Sequence, residues 1–159
     1  FPTLLRAFAR IAETEDLQLV ILGDGEDREA LIHQAHSLGI SERLTLPGFQ
    51  SNPWAWMKSA RAFVLSSRWE GSPNSLTEAL ALGVPVVSTD CPSGPRELLQ
   101  GGTIAPLVPM GDDQAMADAL LQVLTAPPPP SQLTAAVSEY RADISARHYL
   151  EALGITAHD

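Results

Sequence analysis

The chain has 159 residues, 45% of them hydrophobic, which is the size of one globular domain with enough apolar side chain for a sizeable core. Nineteen acidic residues against ten basic ones give a formal net charge of −9, which repels nucleic acid and anionic lipid, so a bound phosphate must be held locally. The single cysteine, Cys91, excludes an internal disulfide, no Cys/His spacing marks a metal site, and no apolar run reaches the roughly 20 residues of a membrane span.

Leu4, Leu5, Phe8 and Ile11 recur at helical spacing directly after Phe1-Pro2-Thr3, and Arg6, Arg10 and Glu13 interrupt the apolar positions as no signal peptide does. A domain that opens inside a helix, with no strand before it, is expected to be a fragment. Residues 17–22 read as a short buried strand broken by Gly23-Asp24-Gly25. A helix is expected over 26–38, with acidic Glu26, Asp27 and Glu29 at its positive end and Gly39 as its stop. A strand at 43–47, a helix at 53–59 and a strand at 62–66 follow. The spacing then predicts a helix over 75–82 ended by Gly83, and a strand over 84–88 with Pro85 near its start. After a turn-rich 90–95 come a short helix at 96–99, an extended 103–108 and a helix at 112–124. Four consecutive prolines at 127–130 form a spacer, and 132–153 reads as one helix with Ile144, Tyr149, Leu150 and Leu153 as its apolar side. This order makes the fold α/β, Rossmann-like, with a mostly parallel sheet and helices on both faces. Ligands on such sheets sit beyond the carboxyl ends of the strands.

Glu70 to Glu78 falls on that edge, between the strand ending at Ser66 and the helix starting near Ser75. Gly71 permits close approach of a ligand, Pro73 restrains the loop, and free N–H groups of residues 74–77 would form an anion site at the helix start. Glu70 and Glu78 then flank the phosphate position and can accept hydrogen bonds from sugar hydroxyls. Hydroxyls flanking phosphate describe a nucleotide sugar. The same residues also fit a plainer structure: Ser75-Leu76-Thr77-Glu78 is a capping box in which Glu78 serves only the Ser75 N–H, and Glu70 is a solvated loop acid. Gly23 and Gly25 match the start of a dinucleotide fingerprint, but Arg28 holds the third glycine position. Phe49, Trp54, Trp56 and Trp69 are expected to pack against helices rather than to stack on a ligand. His33 and His36, three apart on a helix without acidic or thiol partners, read as surface residues. His148 and His158 have no recognisable partner, and Cys91 reads as a small loop residue.

The string Ser66-Ser67-Arg68-Trp69-Glu70-Gly71-Ser72-Pro73-Asn74-Ser75-Leu76-Thr77-Glu78-Ala79-Leu80-Ala81-Leu82-Gly83-Val84-Pro85-Val86-Val87-Ser88-Thr89-Asp90 resembles the signature of the retaining family 4 glycosyltransferases of GT-B fold. Serine and arginine precede E-G, seven residues separate the two glutamates, and E-A-x-A-x-G-x-P-V-V leads to a terminal aspartate. Leu19 to Gly25, Leu46-Pro47-Gly48-Phe49 and Cys91 to Glu97 extend the resemblance over about residues 4–124.

It implies the donor-binding, C-terminal half of a metal-independent hexosyl- or N-acetylhexosaminyltransferase without cofactor, using a UDP-sugar in preference to a GDP-sugar. Glu70 would approach hydroxyls of the transferred sugar as the catalytic residue, and Glu78 would bind the ribose. Gly71, Ser72, Pro73, Asn74, Ser75 and Leu76 would form the loop and helix start whose amides face the sugar and diphosphate. Gly23 and Gly25, with Pro47, Gly48 and Phe49, would border the nucleotide, the second turn lying near the base. Residues 1–126 would be the nucleotide-sugar domain, truncated at its N-terminus, 127–131 the spacer and 132–159 a helical segment. The resemblance places a basic pair for the diphosphate, and the acceptor-binding domain, upstream of Phe1. The isolated chain is therefore expected to bind donor weakly and to transfer nothing. Its partners would be the nucleotide-sugar and that N-terminal domain, with no nucleic acid and no stable membrane insertion, in a cytoplasmic protein that is membrane-peripheral at full length. A non-catalytic nucleotide-binding or interaction module and a nucleotide-sugar epimerase of related fold stay open as alternatives, because one scaffold hosts many activities.

Overall fold

Helix α1 (Pro2–Ala12) has proline at its first position, where a fixed φ and a missing N–H suit a helix start. Its stripe of Leu4, Leu5, Ala7, Phe8, Ile11 and Ala12 is buried, each large side chain contributing about 1.5–3 kcal/mol by leaving water. The structure, a computed structural model, describes residues 1–155. His158 and the end of the expected 132–159 segment lie outside the described residues.

Strand β1 (Leu19–Val20) is followed by α2 (Arg28–Ser37), β2 (Leu44–Thr45), α3 (Pro53–Ser59) and β3 (Phe63–Leu65). Then come α4 (Asn74–Ala81), β4 (Val86–Thr89), α5 (Pro95–Leu98), β5 (Leu107–Val108) and α6 (Asp113–Thr125), with α7 (Pro130–Ala136) and α8 (Ala142–Ala152) closing the chain. Every strand pairing is parallel, in the orders β1-β2 and β3-β4-β5. The alternation of strands and helices is therefore as read from the sequence, but hydrogen bonding divides the strands into two ladders.

Adjacent residues of β4 face opposite ways and join the ladders to two apolar clusters. Val87 lies with α1, α2 and α6, while Val86 lies with α4, α5 and α7. Helices thus cover both faces. Ile21 from the β1 side shares the first cluster with Val87 and Val108, so both ladders rest on one core.

The ladders are shorter than the apolar runs, and prolines explain part of this. Pro47 has no N–H to carry β2 further, and β4 begins only after Pro85, whose carbonyl accepts from the Phe63 N–H at 2.8 Å. The single helix expected over 132–153 is corrected to α7, a 3-10 turn at Ser138–Tyr140 and α8, broken where Arg141 is extended at ψ 141°. Burial of Leu133 and Val137 beside α4 fixes α7 there. The apolar side expected for α8 is not buried: Tyr149, Leu150 and Leu153 are exposed. Nor is the proline run all spacer, because Pro130 is the first residue of α7 and sits against Gly83.

Asp113, at the start of α6, accepts from Arg6 Nε at 3.0 Å and Arg10 Nε at 2.7 Å, tying α6 to α1. The hydrogen bonds from Arg10 and Arg6 hold its carboxyl below the usual carboxylate range. A depressed folded pKa stabilises the fold above the unfolded value of about 3.9 and is lost as pH falls through the folded value. Both arginines are half exposed, so the contribution is about 1 kcal/mol at most. Asp113→Asn should lower the melting temperature at pH 7 by about 2–4 °C. In thermal melts from pH 7 down to 2, the gap to the parent should close below about pH 4.

Candidate functional site

All five strands are short, so the loops at their carboxyl ends begin close to the core.

Two turns meet beyond β1 and β2. Gly23, at φ 102°, donates its N–H to the Gly48 carbonyl at 2.9 Å, and Phe49 donates its N–H to Asp24 Oδ2 at 2.9 Å. Gly48, at φ 76°, leaves only 3.1 Å between an added Cβ and Asp24 Oδ1, so the two turns need its missing side chain. Gly23, Pro47, Gly48 and Phe49 are thereby brought together, with Gly25 exposed just beyond them. Asp24, the residue that ties them, was not singled out in the sequence. Its signal was a short acceptor between two glycines.

Beyond β3 and β4 lies the loop from Glu70. Pro73 is the N-cap of α4, which starts one residue earlier than expected, and no side chain caps it. The capping box is therefore not formed. Ser75 sits inside the first turn, and among the described residues the half-buried Glu78 carboxylate accepts no protein hydrogen bond.

The expectation of four free amides at residues 74–77 is also corrected. Asn74 donates to the Ser72 carbonyl at 2.9 Å, and Leu76 and Thr77 donate to that of Pro73 at 3.0 and 3.1 Å. Of the amides of residues 71–77, those of Gly71, Ser72 and Ser75 have no partner among the described residues. Gly71 and Ser72 are exposed, whereas Pro73 and Leu76 are buried and anchor the loop.

Two further contacts fix this loop, and neither was read from the sequence. Ser67 Oγ donates to Glu70 Oε1 at 2.6 Å, and buried Thr89 Oγ1 donates to the Ser67 carbonyl at 2.6 Å. Gly94, at φ 62°, packs so closely that an added Cβ would lie 2.5 Å from Pro73 Cδ and 3.2 Å from the Gly71 carbonyl oxygen. Arg96 is held by Asp90, with Nε donating to Oδ1 at 3.0 Å.

The aromatic side chains do not pack as expected. Phe49 and Trp69 are 76% and 79% exposed, and Trp54 and Trp56, on α3, are 50% and 39% exposed. The residues around them are loop termini or a seven-residue helix that buries no residue of its own. His33 and His36 are exposed, and His148 lies 3.8 Å from Glu139. Cys91 is buried, and burial pushes its thiol up, which fits a packing role.

Among the described residues, no group of three His, Cys, Asp or Glu side chains could hold a metal ion, and no helix is long and apolar enough to cross a membrane. A cavity of about 530 Å³ opens away from these loops, by Arg6, Arg10, Gly39, Arg43 and Asp113. Its arginines are engaged in part by Asp113, Asp16 and the Glu15 carbonyl.

The parallel α/β fold, with an acidic, glycine-bearing loop beyond β3 and two interlocked glycine turns beyond β1 and β2, is that of GT-B glycosyltransferases. More particularly, the chain belongs to the family described as "Glycosyl transferases group 1", which matches residues 1–140. It is 45% identical over 97 residues to an uncharacterised glycosyltransferase of Methanocaldococcus jannaschii, covering 60% of this chain and 24% of that protein. It superposes on the apo form of the lipopolysaccharide outer core galactosyltransferase WaaB with a TM-score of 0.83 and 28% identity, covering 96% of this chain and 44% of that one. Anabaena HepE in complex with UDP shares the fold, with a TM-score of 0.82 at 21% identity, covering 96% of this chain and 44% of that one. The chain spans between 14% and 39% of the length of the curated relatives it matches.

The two loop glycines should respond differently to a methyl group. Gly94→Ala combines a positive φ with a clash on Pro73, and should cost about 1–3 kcal/mol. Gly71 has nothing within 4 Å of an added Cβ, so Gly71→Ala should change stability by about 0.5 kcal/mol or less. Urea denaturation of both variants checks this, and equal losses would contradict the contact described.

Proposed function

We propose that this chain is the donor-binding part of a retaining, metal-independent family 4 glycosyltransferase that moves a sugar from a nucleotide-sugar, a UDP-sugar in preference to a GDP-sugar, to a glycan, lipid or other acceptor. The observation that carries the reading is the loop from Glu70 to Glu78. It offers carboxylates without competing cap bonds, and the unpartnered amides of Gly71, Ser72 and Ser75 lie between them in sequence. The retaining, metal-independent and family 4 assignments rest on the resemblance of residues 66–90. The preference for UDP is supported by the fold shared with HepE, whose crystal contains UDP.

In this reading Glu70 accepts hydrogen bonds from hydroxyls of the transferred sugar, and Glu78 from the ribose. The free amides, with Asn74 and Leu76 shaping the helix start, stabilise the departing diphosphate as preorganised donors. Pro73 holds this loop against Gly94. Gly23 and Gly25 border the nucleotide, with Pro47, Gly48 and Phe49 near the base. All these residues fall within 1–126, the proposed nucleotide-sugar domain. The acceptor would be held by an acceptor-binding domain, and a basic pair for the diphosphate by a segment of the donor domain itself. Transfer breaks the bond between the anomeric carbon and the phosphate oxygen, and the leaving nucleoside diphosphate keeps the electron pair.

Calorimetric titration of the complete gene product should show tighter binding of UDP than of GDP. Glu78→Gln removes a charged acceptor and should weaken UDP binding about tenfold or more. Glu70→Gln should leave UDP affinity unchanged and slow transfer by about a hundredfold. Unchanged binding and kinetics in both variants would reduce the glutamates to solvated surface acids.

A further inference from the structure

Pairing of β3 with β4 stops at Leu65↔Ser88, yet a side-chain contact ties the two segments together beyond it. Thr89, the last residue of β4, is 1% exposed and must satisfy its hydroxyl internally. Its Oγ1 donates to the Ser67 carbonyl at 2.6 Å, with the Leu65 carbonyl at 3.3 Å. That bond takes the place of the missing ladder bond and sets the backbone of Ser67. Ser67 then donates its own hydroxyl to Glu70 Oε1 at 2.6 Å, within the range of charge-assisted O–H···O⁻ bonds. Among the described residues this is the one hydrogen bond that Glu70 accepts, so Oε2 is left for a ligand.

We infer that Ser67 and Thr89 are positioning residues for the sugar-facing carboxylate: the buried Thr89 hydroxyl sets the Ser67 backbone, and the Ser67 hydroxyl anchors one oxygen of Glu70 so that the other faces the donor sugar. The inference rests on the proposed role of Glu70. A glutamate on an exposed loop samples several rotamers, and binding a sugar hydroxyl would have to freeze them. An anchored oxygen removes that requirement, which favours a productive geometry over nucleotide affinity. Cys91 lies in the same neighbourhood. Burial pushes its thiol up, and the Glu70 charge raises it further. Thr89 ends β4, and Ser67 lies two residues beyond β3, its paired neighbour.

The test is steady-state transfer by the complete gene product with a UDP-sugar, alongside UDP calorimetry, for Ser67→Ala, Ser67→Thr, Glu70→Gln and the double variant Ser67→Ala/Glu70→Gln. Ser67→Ala should lower kcat about tenfold with donor KM and UDP affinity unchanged, and Ser67→Thr, which keeps the hydroxyl, should recover most of the loss. In the Glu70→Gln background, Ser67→Ala should cost less than about twofold, because the anchored carboxylate is gone. Should Thr89→Val fold, a fall in kcat of the same kind supports the chain of contacts. Should it not fold, the Ser67 series decides. A loss that appears in KM or UDP affinity, or one of equal size in both backgrounds, overturns the positioning role, as does an unchanged Ser67→Ala beside an impaired Glu70→Gln. Normal transfer by Glu70→Gln instead removes the sugar-facing role of Glu70 itself, and is recognisable as that separate failure.

Discussion

Strand β4 is buried along its whole length, and its second half is polar. Val86 and Val87 fill the two apolar clusters on either face, but Ser88 and Thr89 bring hydroxyls to places where water cannot reach. A buried hydroxyl without a partner costs roughly 1–3 kcal/mol, so these groups must find carbonyls nearby. Ser88 donates to the Thr89 carbonyl at 3.0 Å, and Thr89 reaches across to the end of β3. The course of the chain from Leu65 to Pro73 follows from that demand. The loop is then confined from the other side by Gly94, so its shape is set by packing at both ends rather than by its own preferences.

Charge is distributed to match. With a net charge of −9 the chain has no general attraction for phosphate, and several arginines are spent on structure. Arg6 and Arg10 hold Asp113, Arg96 holds Asp90, and Arg28 donates to the Leu46 carbonyl at 2.9 Å, under the turn that contains Pro47. Within this chain, recognition at the proposed site would fall to neutral amides and to two glutamates that accept hydrogen bonds.

The order of strands and helices, and the edge that carries the loops, could be read from apolar periodicity and from glycine and proline. The class of site came from a long string of residue types, because isolated glutamates and glycines have too many ordinary uses. What could not be read were partnerships between segments far apart. Asp24 with Phe49, Thr89 with Ser67 and Gly94 with Pro73 each depend on where two loops meet. Local spacing also misled where another residue outranked it. Ser75 and Glu78 have the spacing of a capping box, but Pro73 takes the N-cap position and moves Ser75 inside the helix. Beyond residue 136, the burial of Leu133 and Val137 against α4 stops a helix that periodicity alone would continue.

The pairing of α1 with α6 has a kinetic side. The arginines of α1 and Asp113 are separated by 107 and 103 positions, so the apolar stripe of α1 has no final partner until most of the domain exists. At about 5–20 residues per second, a ribosome needs on the order of 5–20 s to make that stretch. Throughout this interval Leu4, Leu5, Phe8 and Ile11 are available to chaperones or to neighbouring nascent chains. Contacts of such long sequence separation also slow the final closure of the domain. The helix that contributes so much to the finished core is therefore the segment most in need of protection during synthesis.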